Sequence, residues 1–146
     1  MNILFFLTPK TDCAYLEEDE SLREAMERME KTGFTALPIL TKEGAYMGTL
    51  TEGDLLRAVK NLCLMDMRQA EKHNIMECSQ SRECRAVSVS TQIDDLVSVA
   101  IDQNFVPVVD DKNAFIGIVT RKAILQYCLE RYIVSEQAEQ AAKMRA

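Results

Sequence analysis

Apolar residues fall along this chain in two alternating patterns: short continuous runs, and stretches in which they recur every three or four positions. Ala36 to Leu40 and Tyr46 to Leu50 are short runs on either side of a polar turn, Thr41-Lys42-Glu43-Gly44, and predict a hairpin. Ahead of them, Leu22, Ala25, Met26 and Met29 share one helical face. Ser21-Leu22-Arg23-Glu24 forms a capping box at its start, and Gly33 is the expected C-cap. After the hairpin, Leu55, Leu56, Val59 and Leu62 predict a helix that opens at Thr51 and closes near Cys63. Ile3 to Leu7 reads as a strand or extended leading segment, and Cys13 to Leu16 as a short strand.

The order then recurs. Ile75-Met76 leads and Ala86 to Val89 is a strand. Thr91 caps a helix bearing Ile93, Leu96, Val97, Ala100 and Ile101 on one face. Val106 to Val109 and Phe115 to Val119 flank Asp110-Asp111-Lys112-Asn113 as a second hairpin, and Thr120 opens a helix through Ile124, Leu125, Cys128 and Leu129. Leu64 to Asn74 carries the weakest pattern, with a short helix over Asp66 to Lys72. Ser135 to Ala146 is helix-prone but polar, a frayed tail or a helix that needs a partner. Met26, Met29, Phe34, Phe105, Val106 and Phe115 are core candidates.

The recurrence is an internal repeat. An offset of 69 takes Pro38 to Pro107, Gly48 to Gly117, Thr51 to Thr120 and Leu56 to Leu125. In the first part of each unit the offset is 71, taking Cys13 to Cys84, Leu22 to Ile93 and Phe34 to Phe105. The predicted fold class is α/β (α+β), two units each running strand–helix–strand–strand–helix. The first unit spans 1–63, a linker 64–74, the second unit 75–132 and a polar helical tail 133–146.

Composition narrows the chemistry. With 146 residues, 47% hydrophobic and 27% charged, the chain is ordinary globular material. A net charge of −6 without any block of lysine or arginine argues against nucleic acid as the partner. Met1 to Leu7 is apolar but too short for a membrane span or signal peptide, and Thr8-Pro9-Lys10 ends it, so a soluble cytoplasmic protein is expected. The five scattered cysteines form no CxxC and read as reduced thiols. His73 is the only histidine and has no partner at metal-ligand or catalytic spacing, so neither a metal site nor a nucleophilic pair is expected. No Walker-type loop or dinucleotide fingerprint occurs. Asp110-Asp111 and Glu17-Glu18-Asp19-Glu20 read as loop charges. A binding module is expected rather than an enzyme.

The chemistry concentrates at the two strand-to-helix junctions. Each threonine stands at a helix N-cap, where unpaired N–H groups attract anions. The copies differ in charge: Thr51-Glu52-Gly53-Asp54 brings two carboxylates, Thr120-Arg121-Lys122-Ala123 two cations. A carboxylate suits a ribose diol, and cations beside a helix start suit phosphate. Thr-x-x-Asp is also a capping-box arrangement, so Asp54 has two readings, helix cap or ligand.

The doubled unit, with Gly-x-x-Thr-x-x-Asp at its last junction, resembles the tandem CBS (cystathionine-β-synthase) domain pair. Asn2-Ile-Leu-Phe-Phe-Leu-Thr-Pro-Lys10 also resembles the opening of a small stand-alone group of bacterial CBS-pair proteins. The resemblance implies two repeats about a pseudo-twofold axis, with clefts that hold adenine nucleotides. It implies phosphate contact at Thr51 and ribose contact at Asp54. Base contacts fall around Cys13-Ala14-Tyr15 and Thr35-Ala36-Leu37. Ala123 departs from the motif, so the second repeat lacks its ribose anchor. From the split of charge between the junctions, Arg121 or Lys122 is expected to reach across the pseudo-dyad to the phosphates, with Thr120 at the same helix start also a ligand-binding candidate. The implied function is a regulatory sensor of AMP, ADP or ATP that signals to a partner protein. Cyclic di-AMP and S-adenosylmethionine use the same chemistry, and a structural dimer with empty clefts is the alternative of another class. The resemblance also implies a homodimer through the helices that follow Thr51 and Thr120.

Overall fold

A computed structural model describes residues 2–78 and 84–145. Met1 and Ala146, the outer ends of the predicted leading segment and tail, lie outside them. The strands are β1 Leu7–Pro9, β2 Leu16–Glu17, β3 Ala36–Leu40, β4 Tyr46–Thr51, β5 Val87–Ser88, β6 Phe105–Val109 and β7 Phe115–Thr120. The helices are α1 Leu22–Thr32, α2 Glu52–Asn61, α3 Ile93–Asp102 and α4 Arg121–Arg145. They form two sheets, β2-β3-β4 and β1-β7-β6-β5, each carrying the helices of its own repeat.

Local chemistry sets these boundaries. The Ser21 hydroxyl accepts from the Glu24 amide at 3.2 Å, and the Glu24 carboxylate accepts from the Ser21 amide at 3.3 Å. Gly33 ends α1 in the left-handed region at φ 74°, where a side chain would be strained. The two hairpins share one register, including an irregularity at Ile39/Leu40 and again at Val108/Val109, 69 residues on.

A pseudo-twofold axis passes between the hairpin tips. Tyr46 N donates to Asn113 O at 3.1 Å, and Phe115 N donates to Gly44 O at 2.9 Å. Both bonds flank the Ala45–Ala114 bridge, and the Tyr46 and Phe115 rings stack beside it with centroids 6.5 Å apart.

Each leading segment crosses this axis. Asn2 caps a single 3-10 turn, Ile3–Phe6, through the bond from Leu4 N to its side chain, and Asn74 caps Ile75–Glu77 in the same way through Met76 N. Ile3 is fully buried, yet in the core of the second repeat. Ile75, 1% exposed, is buried in the core of the first. Each such isoleucine contributes about 1.5–3 kcal/mol of apolar burial. After Ile3 the chain continues as β1, antiparallel to β7, with Leu7 opposite Val119 and Pro9 opposite Gly117.

Several expectations are corrected. Ile3 to Leu7 is mostly a 3-10 turn, because the Asn2 side chain offers its amides a local partner. The cap of α3 is Gln92 rather than Thr91, whose amide is spent on a turn to Ser88 O. Phe34, expected in the core, is 54% exposed, because the left-handed Gly33 turns the chain outward just before β3. Phe105 is half-buried at the cavity wall, whereas Met26, also half-buried, packs against the first core as expected. The tail is part of α4, which runs unbroken to Arg145, as a stretch rich in Ala, Glu and Gln without Gly or Pro favours. Beyond Leu129 its side chains are exposed.

Candidate functional site

The crossing of β1 brings together residues far apart in sequence. A cavity of about 370 Å³ is walled on one side by Cys13, Ala14 and Phe34 to Pro38, and on the other by Ile118, Thr120, Asn104 and Phe105. Thr8 and Asp12 complete its lining. A second cavity, about 240 Å³, is lined by Thr49, Thr51, Cys84, Asp102, Gln103 and Arg121. The two share Ala36, Asn104 and Phe105, so they adjoin across the starts of β3 and β6.

Each cavity therefore joins the first wall of one repeat to the helix start of the other. Ala14, Thr35, Ala36 and Leu37 share their cavity with Thr120. Thr51 shares its cavity with Cys84 and Arg121, and only Ala36 of the predicted base wall reaches it.

Both threonines cap their helices. Thr51 Oγ accepts from Asp54 N at 3.1 Å, and Thr120 Oγ accepts from Ala123 N at 3.1 Å. Asp54 is 2% exposed and lines neither cavity. Its Oδ2 accepts from Thr51 N at 2.9 Å and its Oδ1 from Arg57 Nη2 at 2.7 Å, which completes the capping box.

The cations split. Arg121 borders the second cavity, and its guanidinium donates to Ala100 O at 2.9 Å and Ile101 O at 3.2 Å, at the negative end of α3. Lys122 is exposed on α4 beside Leu125 and Leu129. Tyr15 stands outside both cavities, its ring 5.5 Å from Lys10 Nζ and its carbonyl accepting from Arg28 at 2.7 Å.

Polar contacts knit the walls, one of them, Tyr46 to Cys84, between the repeats. The Tyr46 hydroxyl lies 2.8 Å from Thr49 Oγ1 and donates to Cys84 O at 3.3 Å, and burial pushes its phenol well above the ordinary value. Gln103 Nε2 faces Cys84 Sγ, Arg85 O and Phe105 O at 3.1–3.3 Å. Cys13 Sγ donates to Pro9 O at 3.3 Å, and burial raises its thiol too. Asp12, Phe34, Asn104 and Phe105 are lining residues that the sequence does not announce. Phe34 and Phe105 leave one signal, an aromatic repeated at the 71-residue offset just before a hairpin.

Among the described residues no group of three His, Cys, Asp or Glu is arranged to hold a metal. No helix among them is long and apolar enough to cross a membrane.

The CBS domain model matches residues 6–61 and 80–130. Cyclic di-AMP receptor B of Bacillus subtilis (strain 168) is 22% identical over 121 residues, 83% of this chain and 82% of that protein. The CbpB protein of Listeria monocytogenes in complex with c-di-AMP has a TM-score of 0.79 at 23% identity, covering 90% of this chain and 96% of that one. CBSX2 in complex with AMP has a TM-score of 0.71 at 22% identity, covering 90% and 98%. The two structural likenesses establish the shared fold.

Proposed function

The chain belongs to the CBS domain family, and from that premise we propose that it is a regulatory module. It senses an adenine nucleotide in the cleft between its repeats and signals to a partner protein. The observation that supports this most is the 370 Å³ cavity, which falls in the range of small-molecule sites. Its wall is mainly apolar, as a purine needs, and Thr120 brings the positive potential of the α4 start to it. We place the base against Ala14, Ala36, Leu37 and Phe34, and the phosphate toward Thr120 with Arg121 and Lys122 nearby. Thr51 and Asp54 serve chiefly to start α2. AMP, ADP, ATP and S-adenosylmethionine all present the adenosine this wall fits. The c-di-AMP and AMP complexes of the relatives support the ligand class and put cyclic di-AMP among the first to test.

Isothermal titration with AMP, ATP and cyclic di-AMP tests the reading. Saturable binding of at least one is expected, with the nucleotide recovered unchanged by mass spectrometry, since a sensor performs no turnover. Ala36→Phe puts a ring into the space of the base and is expected to weaken binding more than roughly tenfold, or 1.4 kcal/mol. No binding of any of the three, or full affinity in the Ala36→Phe variant, would overturn the assignment.

The same reading includes a homodimer through α2 and α4. Leu56 and Leu125, equivalent by the 69-residue offset, are 65% and 61% exposed, and Leu129 extends the patch. Sedimentation of the wild type is expected to show a dimer that the Leu56→Glu/Leu125→Glu double variant dissociates. A wild-type monomer would remove the dimer from the proposal.

A further inference from the structure

We infer that Asp12 reads the sugar of the bound nucleotide. It supplies from the first repeat the carboxylate that the second repeat lacks at Ala123. The inference rests on the nucleotide reading above.

The helix start that borders the main cavity, through Thr120, is Thr120-Arg121-Lys122-Ala123, which has no acid where its counterpart has Asp54. Asp54 itself is buried in the cap of α2 and lines neither cavity. A ribose in the main cavity therefore finds no carboxylate in either copy of the repeated motif.

Asp12 fills that gap. It is the only charged side chain among the residues lining this cavity, and it makes no hydrogen bond or ion pair among the described residues. Its position is fixed by the fold. Lys10–Asp12 is a single 3-10 turn closed by Cys13 N donating to Lys10 O at 3.1 Å, and Cys13 Sγ ties the same turn back to Pro9 O. Three other polar atoms of the wall already hold a partner: Thr120 Oγ accepts from Ala123 N, Asn104 O from Arg121 N, and Thr35 O from Glu52 N.

An ionised carboxylate accepts hydrogen bonds and cannot donate them. In this lining it calls for donors on the ligand, and the hydroxyls of a ribose supply them in charge-assisted form. It repels phosphate, which leaves the start of α4 as the end for the anion. Asp12 is exposed whereas Leu37 is 1% exposed, so the sugar is set on the solvent side and the base against Leu37.

The test compares AMP with 2′-deoxy-AMP, and cyclic di-AMP with its 2′-deoxy form, in the wild type, Asp12→Ala and Asp12→Glu. The wild type is expected to prefer the ribo forms by about tenfold or more, from the strength of hydrogen bonds to a charged group. Asp12→Ala is expected to lose that preference while keeping its affinity for the deoxy forms, and Asp12→Glu to restore part of it. Asp12 is exposed, so thermal melts should match the wild type. A preference that survives in Asp12→Ala, or none in the wild type, would overturn the assignment and leave the nucleotide reading standing. Equal losses for ribo and deoxy forms would move the carboxylate to the base's amino group and end the sugar role. Absence of any nucleotide binding by the wild type would overturn both.

Discussion

Gly117→Ala is expected to unfasten β1 and destabilise the protein by about 3 kcal/mol, near the upper end of ordinary overpacking costs. Gly117 has φ 155°, and a Cβ built there would lie 2.2 Å from Thr8 O and 3.0 Å from Leu7 Cδ1. The first of these atoms is backbone in the paired strand, so no side-chain rotation relieves it. The sheet must open between β1 and β7. For a chain of this size the loss corresponds to roughly 6–12 °C in thermal midpoint. Thr8 and Cys13 belong to the cavity wall, so nucleotide binding should weaken as well. Gly53→Ala is the control, because its added Cβ meets the flexible Arg57 side chain at 3.4 Å, within ordinary contact. Early in α2 it is expected to be neutral or stabilising by up to about 1 kcal/mol. A Gly117→Ala midpoint within about a degree of wild type would show that the register of β1 against β7 is wrong.

Asp54→Ala is expected to cost about 2 kcal/mol while leaving nucleotide affinity within about threefold of wild type. The stability loss has two sources. The capping box disappears, which typically costs about 1 kcal/mol, and the Thr51 amide loses its acceptor in a buried setting. The pair with Arg57 adds less than about 1 kcal/mol, because that side chain is 47% exposed and resolvates. Asp54→Asn keeps an oxygen for the Thr51 amide and should recover part of the loss. Chemical denaturation measures the first effect, and titration under conditions where the variant is folded measures the second. If the folded variant lost binding more than tenfold, Asp54 would return to the ligand and the capping role would be secondary.

These two positions mark where the sequence can and cannot be read. The offset of 69 residues predicts both hairpins to within a residue, and Ser21, Glu24 and Gly33 announce α1, because each rests on contacts within a few residues. The cavities rest on residues up to about a hundred positions apart. Ala14 meets the wall that holds Thr120 only because β1 leaves its own repeat, and no local pattern around Ile3 or Leu7 specifies that departure. The motif at Thr51 to Asp54 therefore looks complete in itself, while its partners in the cavity come from the other repeat. Phe34 escapes the pattern for a related reason. Its side chain is apolar, and nothing nearby in sequence reveals that a cleft rather than a core lies beside it.

The exchange of leading segments also bears on how the chain comes off the ribosome. Leu7 is made early, but its partner Val119 follows only after the rest of both repeats, and Ile3 waits as long for its core. Until then the apolar leading segment lacks the core and the strand partner it takes in the finished fold. The second repeat, once complete, presents the edge of β7 until that segment arrives. Closure of this loop is the step at which two half-proteins become one, and a chaperone gripping the leading segment would hold the molecule short of it.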